Sequence, residues 1–194
     1  MPITVTAPRG TLTPAGERQI LPQLTAALIE ASGQTGNAFF TPLVGGTVQI
    51  LEPEQVYAGE VNRPLVLVEL KLPDIGLAAP EARAAFIAAA ADIVRASAVP
   101  GHRDEDTWIN ILNARDGAWG VGGRALTNDE LVAGIMAAAV RACLTHVHGS
   151  PGRRLGLPYL DSRLPDHQDR ASSTPRIACA HSWAVAAEVS TSTS

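Results

Sequence analysis

Met1-Pro2-Ile3-Thr4-Val5-Thr6-Ala7 opens the chain, and Pro64-Leu65-Val66-Leu67-Val68-Glu69-Leu70-Lys71-Leu72 opens it a second time. In the first stretch Ile3, Val5 and Ala7 alternate with Thr4 and Thr6, the two-residue period of a half-buried strand. The second is nearly all apolar, as in a strand covered on both faces. Each leads into the same series: a helix, another strand and a glycine-bearing turn. A period of about sixty residues makes the chain a tandem repeat.

In the first unit, Pro8-Arg9-Gly10 ends the strand and Thr13-Pro14 starts a helix, the hydroxyl capping free N–H groups while proline suits the first turn. Ile20, Leu24 and Leu28, with Leu21 and Ile29 beside them, form its apolar face. Gly33 stops it, and Pro22 is expected to bend it. Phe39 and Phe40 lie in the loop before a second strand, Thr47 to Leu51, which leaves through Gln55-Val56-Tyr57-Ala58-Gly59. In the second unit, a helix from near Pro80 turns Phe86, Ala90, Ile93 and Val94 inward, and Pro100-Gly101 ends it. An acidic loop, His102 to Asp106, leads into a strand from Thr107 to Asn113 and the turn Ala118-Trp119-Gly120. Thr127 and Glu130 form a capping box for a third helix whose apolar residues are Leu131, Ile135, Met136, Ala139 and Val140, fading near Leu144.

Two β-α-β units predict an α+β fold: a four-stranded mixed sheet with parallel strands inside each unit and two helices on one face. The other face is expected to be apolar and to be covered by self-association. The expected boundaries are a domain over 1–145, with units at about 2–60 and 64–124 and a C-terminal helix at about 127–144, then a tail over 146–194. That tail is rich in Pro, Gly, Ser, Arg and His and lacks hydrophobic periodicity, so it is expected to have little order.

At 194 residues and 46% hydrophobic, the chain has enough material for a sizeable core. A net charge of −4 gives no basis for nucleic acid or an anionic membrane as partner. The two cysteines, Cys143 and Cys179, lack metal-ligand spacing with one another. His146 and His148 are neighbours that suit adventitious metal binding, so no metal and no cofactor are expected. The first residues lack the features of a secretion signal, and Asp92 and Arg95 interrupt the apolar stretch Ala84 to Val99. A soluble cytoplasmic protein is the expectation.

Chemistry concentrates at Pro2. Removal of Met1, usual before a small second residue, turns it into a secondary amine at the start of a strand. Burial or nearby cations lower the pKa of such an amine and leave it unprotonated near neutral pH, fit to move a proton at carbon. The second marker is Asp116-Gly117-Ala118-Trp119-Gly120-Val121-Gly122-Gly123. It comes after a strand but lacks dinucleotide spacing, so it is no phosphate cradle.

An N-terminal Met1-Pro2-Ile3 strand and a Gly117-Ala118-Trp119-Gly120-Val121-Gly122-Gly123 turn on a duplicated β-α-β frame resemble the tautomerase superfamily over about residues 2–136. That superfamily includes 4-oxalocrotonate tautomerase, macrophage migration inhibitory factor, malonate semialdehyde decarboxylase and the 3-chloroacrylic acid dehalogenases. The two-unit length resembles its fused members, which assemble as homotrimers. The resemblance implies that Pro2 is catalytic, that Trp119 walls the pocket, and that Arg9 and Lys71 stand in for paired arginines that bind a substrate carboxylate.

Trp108 stands where short tautomerases carry a carboxylate-binding arginine. That departure leaves the anion grip to Arg9, Lys71, Arg115 or Arg124, with Trp108 helping to enclose the substrate. Tyr57 ends the equivalent turn of the first unit, as packing or as a proton donor. Lys71 and Arg115 have a plainer reading as solvated or paired cations, and the tryptophans one as core or interface. Asn37 falls only near where hydrolytic members activate water. The expected activity is cofactor-independent keto-enol conversion of a small 2-oxo acid or enol. The alternatives are dehalogenation, hydration or decarboxylation of a small unsaturated or 3-oxo acid, and a trimeric interaction module without catalysis.

Overall fold

A computed structural model describes residues 1–148. The low-order tail expected further on lies outside the described residues from 149 onward. Met1–Cys143 forms one compact unit. Its elements are β1 (Pro2–Pro8), α1 (Pro14–Ala31), β2 (Gly45–Leu51), the short β3 (Tyr57–Ala58) and β4 (Val61–Asn62), then β5 (Val66–Pro73), α2 (Pro80–Ser97), β6 (Thr107–Ala114), β7 (Trp119–Val121), β8 (Arg124–Leu126) and α3 (Asn128–His148).

The sheet has the order β2-β1-β5-β6. β1 runs parallel to β2, and β5 parallel to β6, because each pair is joined by a helical crossover. The two units meet where β1 lies antiparallel to β5, with Ile3 opposite Leu70 and Val5 opposite Val68. The expected α+β frame of two β-α-β units is therefore present. Ile3, Val5 and Ala7 from β1 and Val66, Val68, Leu70 and Leu72 from β5 are buried on one face. Ile20, Leu24 and Leu28 of α1 and Phe86, Ala90 and Val94 of α2 are buried with them in one cluster.

Local signals act as expected in α1. The Thr13 hydroxyl accepts from the Gly16 N–H at 2.9 Å and donates to the Ser97 carbonyl at 3.2 Å. It thereby caps α1 and ties it to the end of α2. Gly33 ends the helix with a φ of 63°, a left-handed conformation that glycine adopts without steric cost. α1 continues through Pro22, which lies on its exposed side. The helices touch where Gly16 has no side chain: a Cβ there would lie 2.0 Å from the Ser97 carbonyl oxygen.

The helix-free face differs from expectation. Its cross-strand rows are Trp108-Leu67-Thr6-Gln49 and Asn110-Glu69-Thr4-Thr47, with Lys71 beside Leu112. It is mixed rather than apolar, because β5 presents Leu67, Glu69 and Lys71 there, beside Thr4 and Thr6 of β1 and with Thr47, Gln49 and Asn110 on the edge strands. α3 also differs. It reaches His148 instead of fading near Leu144, and Leu131, Ile135 and Ala138 point inward while Met136 and Val140 are exposed. The inward set has i, i+4, i+7 spacing against the loop before β2, where a Cβ on Gly134 would sit 2.4 Å from the Phe39 ring. Its capping box is formed: the Thr127 N–H donates to the Glu130 carboxylate at 2.9 Å and the Glu130 N–H to the Thr127 hydroxyl at 3.2 Å. No helix among the described residues is long and apolar enough to cross a membrane.

Gly16→Ala is expected to lower stability by roughly 1–3 kcal/mol through overpacking. Gly33→Ala, strained only by its backbone angle, is expected to cost about 1 kcal/mol. Urea unfolding of the two variants checks that order.

Candidate active site

β1 is an inner strand, so its first residue lies at the middle of one end of the sheet. Pro2 is exposed there and pairs with Gly45 across the parallel ladder. In the full chain its nitrogen is an amide, and Met1 covers it. The Met1 amine donates to the Leu43 carbonyl, the Met1 carbonyl accepts from the Gly45 N–H at 3.3 Å, and the residue is 7% exposed. Burial lowers the pKa of that amine from 8.0 to about 6.

The antiparallel register brings the far end of β5 to the same place. Ile3 faces Leu70, so the next pair outward is Pro2 and Lys71, on the helix-free face. Lys71 is exposed and pairs on its other side with Leu112 of β6. β6 also finishes at this end, and its exit is tied to that of β5: the Asp74 N–H donates to the Ala114 carbonyl at 2.8 Å and the Asn113 side chain to the Pro73 carbonyl at 3.1 Å. Asn128 holds the hairpin of β7 and β8 in place, donating through its side chain to Asp74 and through its backbone to Asp116, each at 2.7 Å.

Trp119 starts that hairpin, half-buried against the main core cluster, with an indole N–H that is buried and has no acceptor among the described residues. Arg115 is exposed in the turn, its carbonyl accepting from the Ala118 N–H at 2.9 Å. Arg124 is paired with Glu130. The Thr127 N–H, with Arg124 second, holds that carboxyl below its usual range.

Arg9, Tyr57 and Trp108 lie elsewhere. Arg9 comes after the last residue of β1, seven residues and about 23 Å of extended chain from Pro2. It forms an ion pair with Glu52 at 2.8 Å, and its hydrogen bonds to that carboxylate raise the guanidinium pKa further. Lys71 is therefore not its counterpart, since it sits inside β5 rather than beyond the strand's end. Tyr57 is in β3, past the exit of β2, and is 55% exposed. Trp108 is at the start of β6, 45% exposed, its indole donating to the Glu105 carbonyl at 3.2 Å. Within one chain, the Pro2 end of the sheet holds Pro2, Lys71, Arg115 and Trp119, and the opposite end holds the other three.

Asn37 is committed to structure. Its amide donates to Gln34 at 2.9 Å and to the Ile135 carbonyl at 3.1 Å, and its oxygen accepts from the Phe39 and Phe40 N–H groups, both at 3.0 Å. That leaves little capacity to activate water. The opposite end also carries polar groups that sequence reasoning passed over. Asp106 is 2% exposed and pairs with Arg63, while His102 Nε2 lies 2.9 Å from the Thr107 hydroxyl. Their adjacency in the acidic loop was the available signal. Burial lowers the His102 pKa against the opposing charges of Asp106 and Asp104.

An inner strand opening on an imino acid, in a duplicated β-α-β sheet closed by a short hairpin, defines a class of small α+β folds. The fold is that of the tautomerase superfamily in its fused, two-unit form. A fused 4-OT described as a wild-type symmetric trimer superposes with a TM-score of 0.54 at 23% identity, over 67% of this chain and 98% of its own. Pt0534 inactivated by 2-oxo-3-pentynoate gives 0.54 at 18% identity, over 66% of this chain and 97% of its own. Macrophage migration inhibitory factor from Oncomelania hupensis gives 0.50 at 13%, over 65% and 97%. A third of this chain thus has no counterpart in these structures. No protein-family model matches the sequence, and no curated protein matches it.

A histidine whose pKa is lowered by folding binds fewer protons folded than unfolded, so its contribution is full above about pH 6.5 and declines as pH falls below that value. His102→Gln is expected to flatten the pH dependence of the thermal midpoint below about pH 6.5. Scanning calorimetry of both proteins measures it.

Proposed function

We propose that the chain is a cofactor-independent tautomerase whose base and acid is the Pro2 amine, freed by removal of Met1. One observation carries the reading: Pro2 opens an inner strand at the end of the sheet where the cation Lys71 is its cross-strand neighbour and the Trp119 hairpin packs. A neighbouring cation favours the unprotonated form of the freed amine, which can take a proton from carbon beside a carbonyl. The proton is then returned at the other end of the enol system.

Lys71, next to Pro2 on the helix-free face, supplies the fixed charge for a substrate carboxylate or developing enolate, and Trp119 encloses the site. The substrate class is a small 2-oxo acid or its enol. Homotrimer formation agrees with the fused 4-OT described as a symmetric trimer. In a trimer, Arg9, Tyr57 and Trp108 reach a Pro2 site only from a neighbouring subunit. Dehalogenation, hydration and decarboxylation are weaker readings, because the four hydrogen bonds of Asn37 remove the nearest candidate for handling water. A module without catalysis remains the rival reading, and retention of Met1 would favour it.

Intact mass is expected to show loss of Met1. Pro2→Ala is expected to lower the rate of ketonisation of a phenylenolpyruvate-like enol by roughly 10² to 10⁴; equal rates would eliminate the proline mechanism. 2-Oxo-3-pentynoate is expected to add covalently at Pro2, the amine bonding to the methyl-bearing alkyne carbon, β to the ketone, with its proton passing to the carbon beside the ketone. The mass gain then equals the whole reagent. Lys71→Ala is expected to raise KM about tenfold, the loss of one charge-assisted contact of roughly 1.5 kcal/mol, with little change in kcat. Steady-state kinetics separate the two constants.

A further inference from the structure

The residue that the proposed mechanism discards has a complete seat in the fold. The Leu43 carbonyl receives the Met1 amine and the Gly45 N–H donates to the Met1 carbonyl at 3.3 Å. The side chain is buried in the cluster that also holds Phe40 and Ile135. The seat is rigid: a Cβ on Gly46 would lie 1.9 Å from the Ile3 carbonyl oxygen, so β2 presses directly on β1 and fixes the Gly45 N–H. It is also open on one side, since a Cβ on Gly45 would meet nothing within 4 Å.

Loss of Met1 leaves three vacancies together: a donor without an acceptor, an acceptor without a donor, and the volume of an unbranched side chain. The empty side-chain volume costs free energy, and the two backbone groups are left open to water or to a ligand. The three adjoin the Pro2 nitrogen, to which the Met1 carbonyl carbon was bonded.

We infer that Met1 holds the substrate's place: a linear 2-oxo acid or enol puts an oxygen on the Gly45 N–H where the Met1 carbonyl lay, and its unbranched tail in the space of the Met1 side chain. This rests on the proline mechanism. Lys71 and the Met1 side chain lie on opposite faces of the sheet, because Pro2 and Met1 are successive residues of an extended chain. The substrate therefore straddles the end of β1, with its carboxylate toward Lys71 and its tail toward the core. The tail is limited to about four non-hydrogen atoms, the length that the methionine side chain filled.

The test compares the full chain trimmed to Pro2 by methionine aminopeptidase with the chain that keeps Met1, released in vitro from an N-terminal fusion. Calorimetric titration uses pyruvate, 2-oxobutanoate, 2-oxopentanoate, 2-oxohexanoate and 2-oxooctanoate, with 3,3-dimethyl-2-oxobutanoate as the branched control. On the trimmed chain, affinity is expected to rise about fourfold per added methylene and to stop rising at 2-oxooctanoate, with the branched acid binding poorly. The Met1-bearing chain is expected to bind none of them.

Affinity independent of tail length, or equal binding by both chains, overturns the inference. Trimmed Pro2→Ala separates the two readings: lost turnover with retained length dependence upholds both, whereas unchanged turnover removes the proline mechanism and leaves the seat to be judged by the titration. Should the trimmed chain be unfolded, refolding by 2-oxohexanoate but not by pyruvate supports the seat, and refolding by neither overturns it.

Discussion

The antiparallel junction of β1 with β5 is the constraint on which the rest depends. Each β-α-β unit alone would leave one inner strand edge unpaired, and joining the two satisfies both edges while merging their apolar residues into one layer. Ile3, Val5, Val68 and Leu70 are fully buried across this seam. Because the seam is antiparallel, the start of one inner strand meets the end of the other. The chain's first residues therefore lie beside Lys71 and near the exit of β6, instead of beside the start of the second unit.

That geometry divides the polar candidates by position rather than by type. Arg9 and Lys71 are both cations near strand ends, yet one is engaged by Glu52 and the other faces Pro2's side of the sheet without an ion pair among the described residues. An exposed pair such as Arg9 with Glu52 contributes little to stability, but it occupies the guanidinium. The hairpin of β7 and β8 reaches the Pro2 end because Asn128 bonds to both Asp74 and Asp116, joining the exit of the fourth sheet strand to the start of α3.

The features legible in the sequence were local. Thr13-Pro14, Gly33 and the Thr127–Glu130 box each specify a helix end through contacts within a few residues, and all three act in the structure as their chemistry requires. The duplicated frame was legible for the same reason, since strand and helix periods are short-range patterns. Harder to read were the partners supplied by distant segments: Glu52 for Arg9, Ile135 for Asn37, Thr6 and Thr4 of β1 opposite Leu67 and Glu69 of β5. The inward face of α3 is not legible from composition, because Met136 and Val140 are as apolar as Ile135; the contacts that choose it come from the distant loop, where Phe39 meets Gly134 and Asn37 bonds the Ile135 carbonyl.

Asn37 joins two parts of the chain that are about a hundred residues apart, bonding the Ile135 carbonyl while its oxygen holds the backbone of Phe39 and Phe40. The same loop continues to Leu43, whose carbonyl receives the Met1 amine. α3 therefore acts as a brace on the floor beneath the chain's first residue, and a sideways shift of that helix would be transmitted through one amide group to the geometry around β1's starting point.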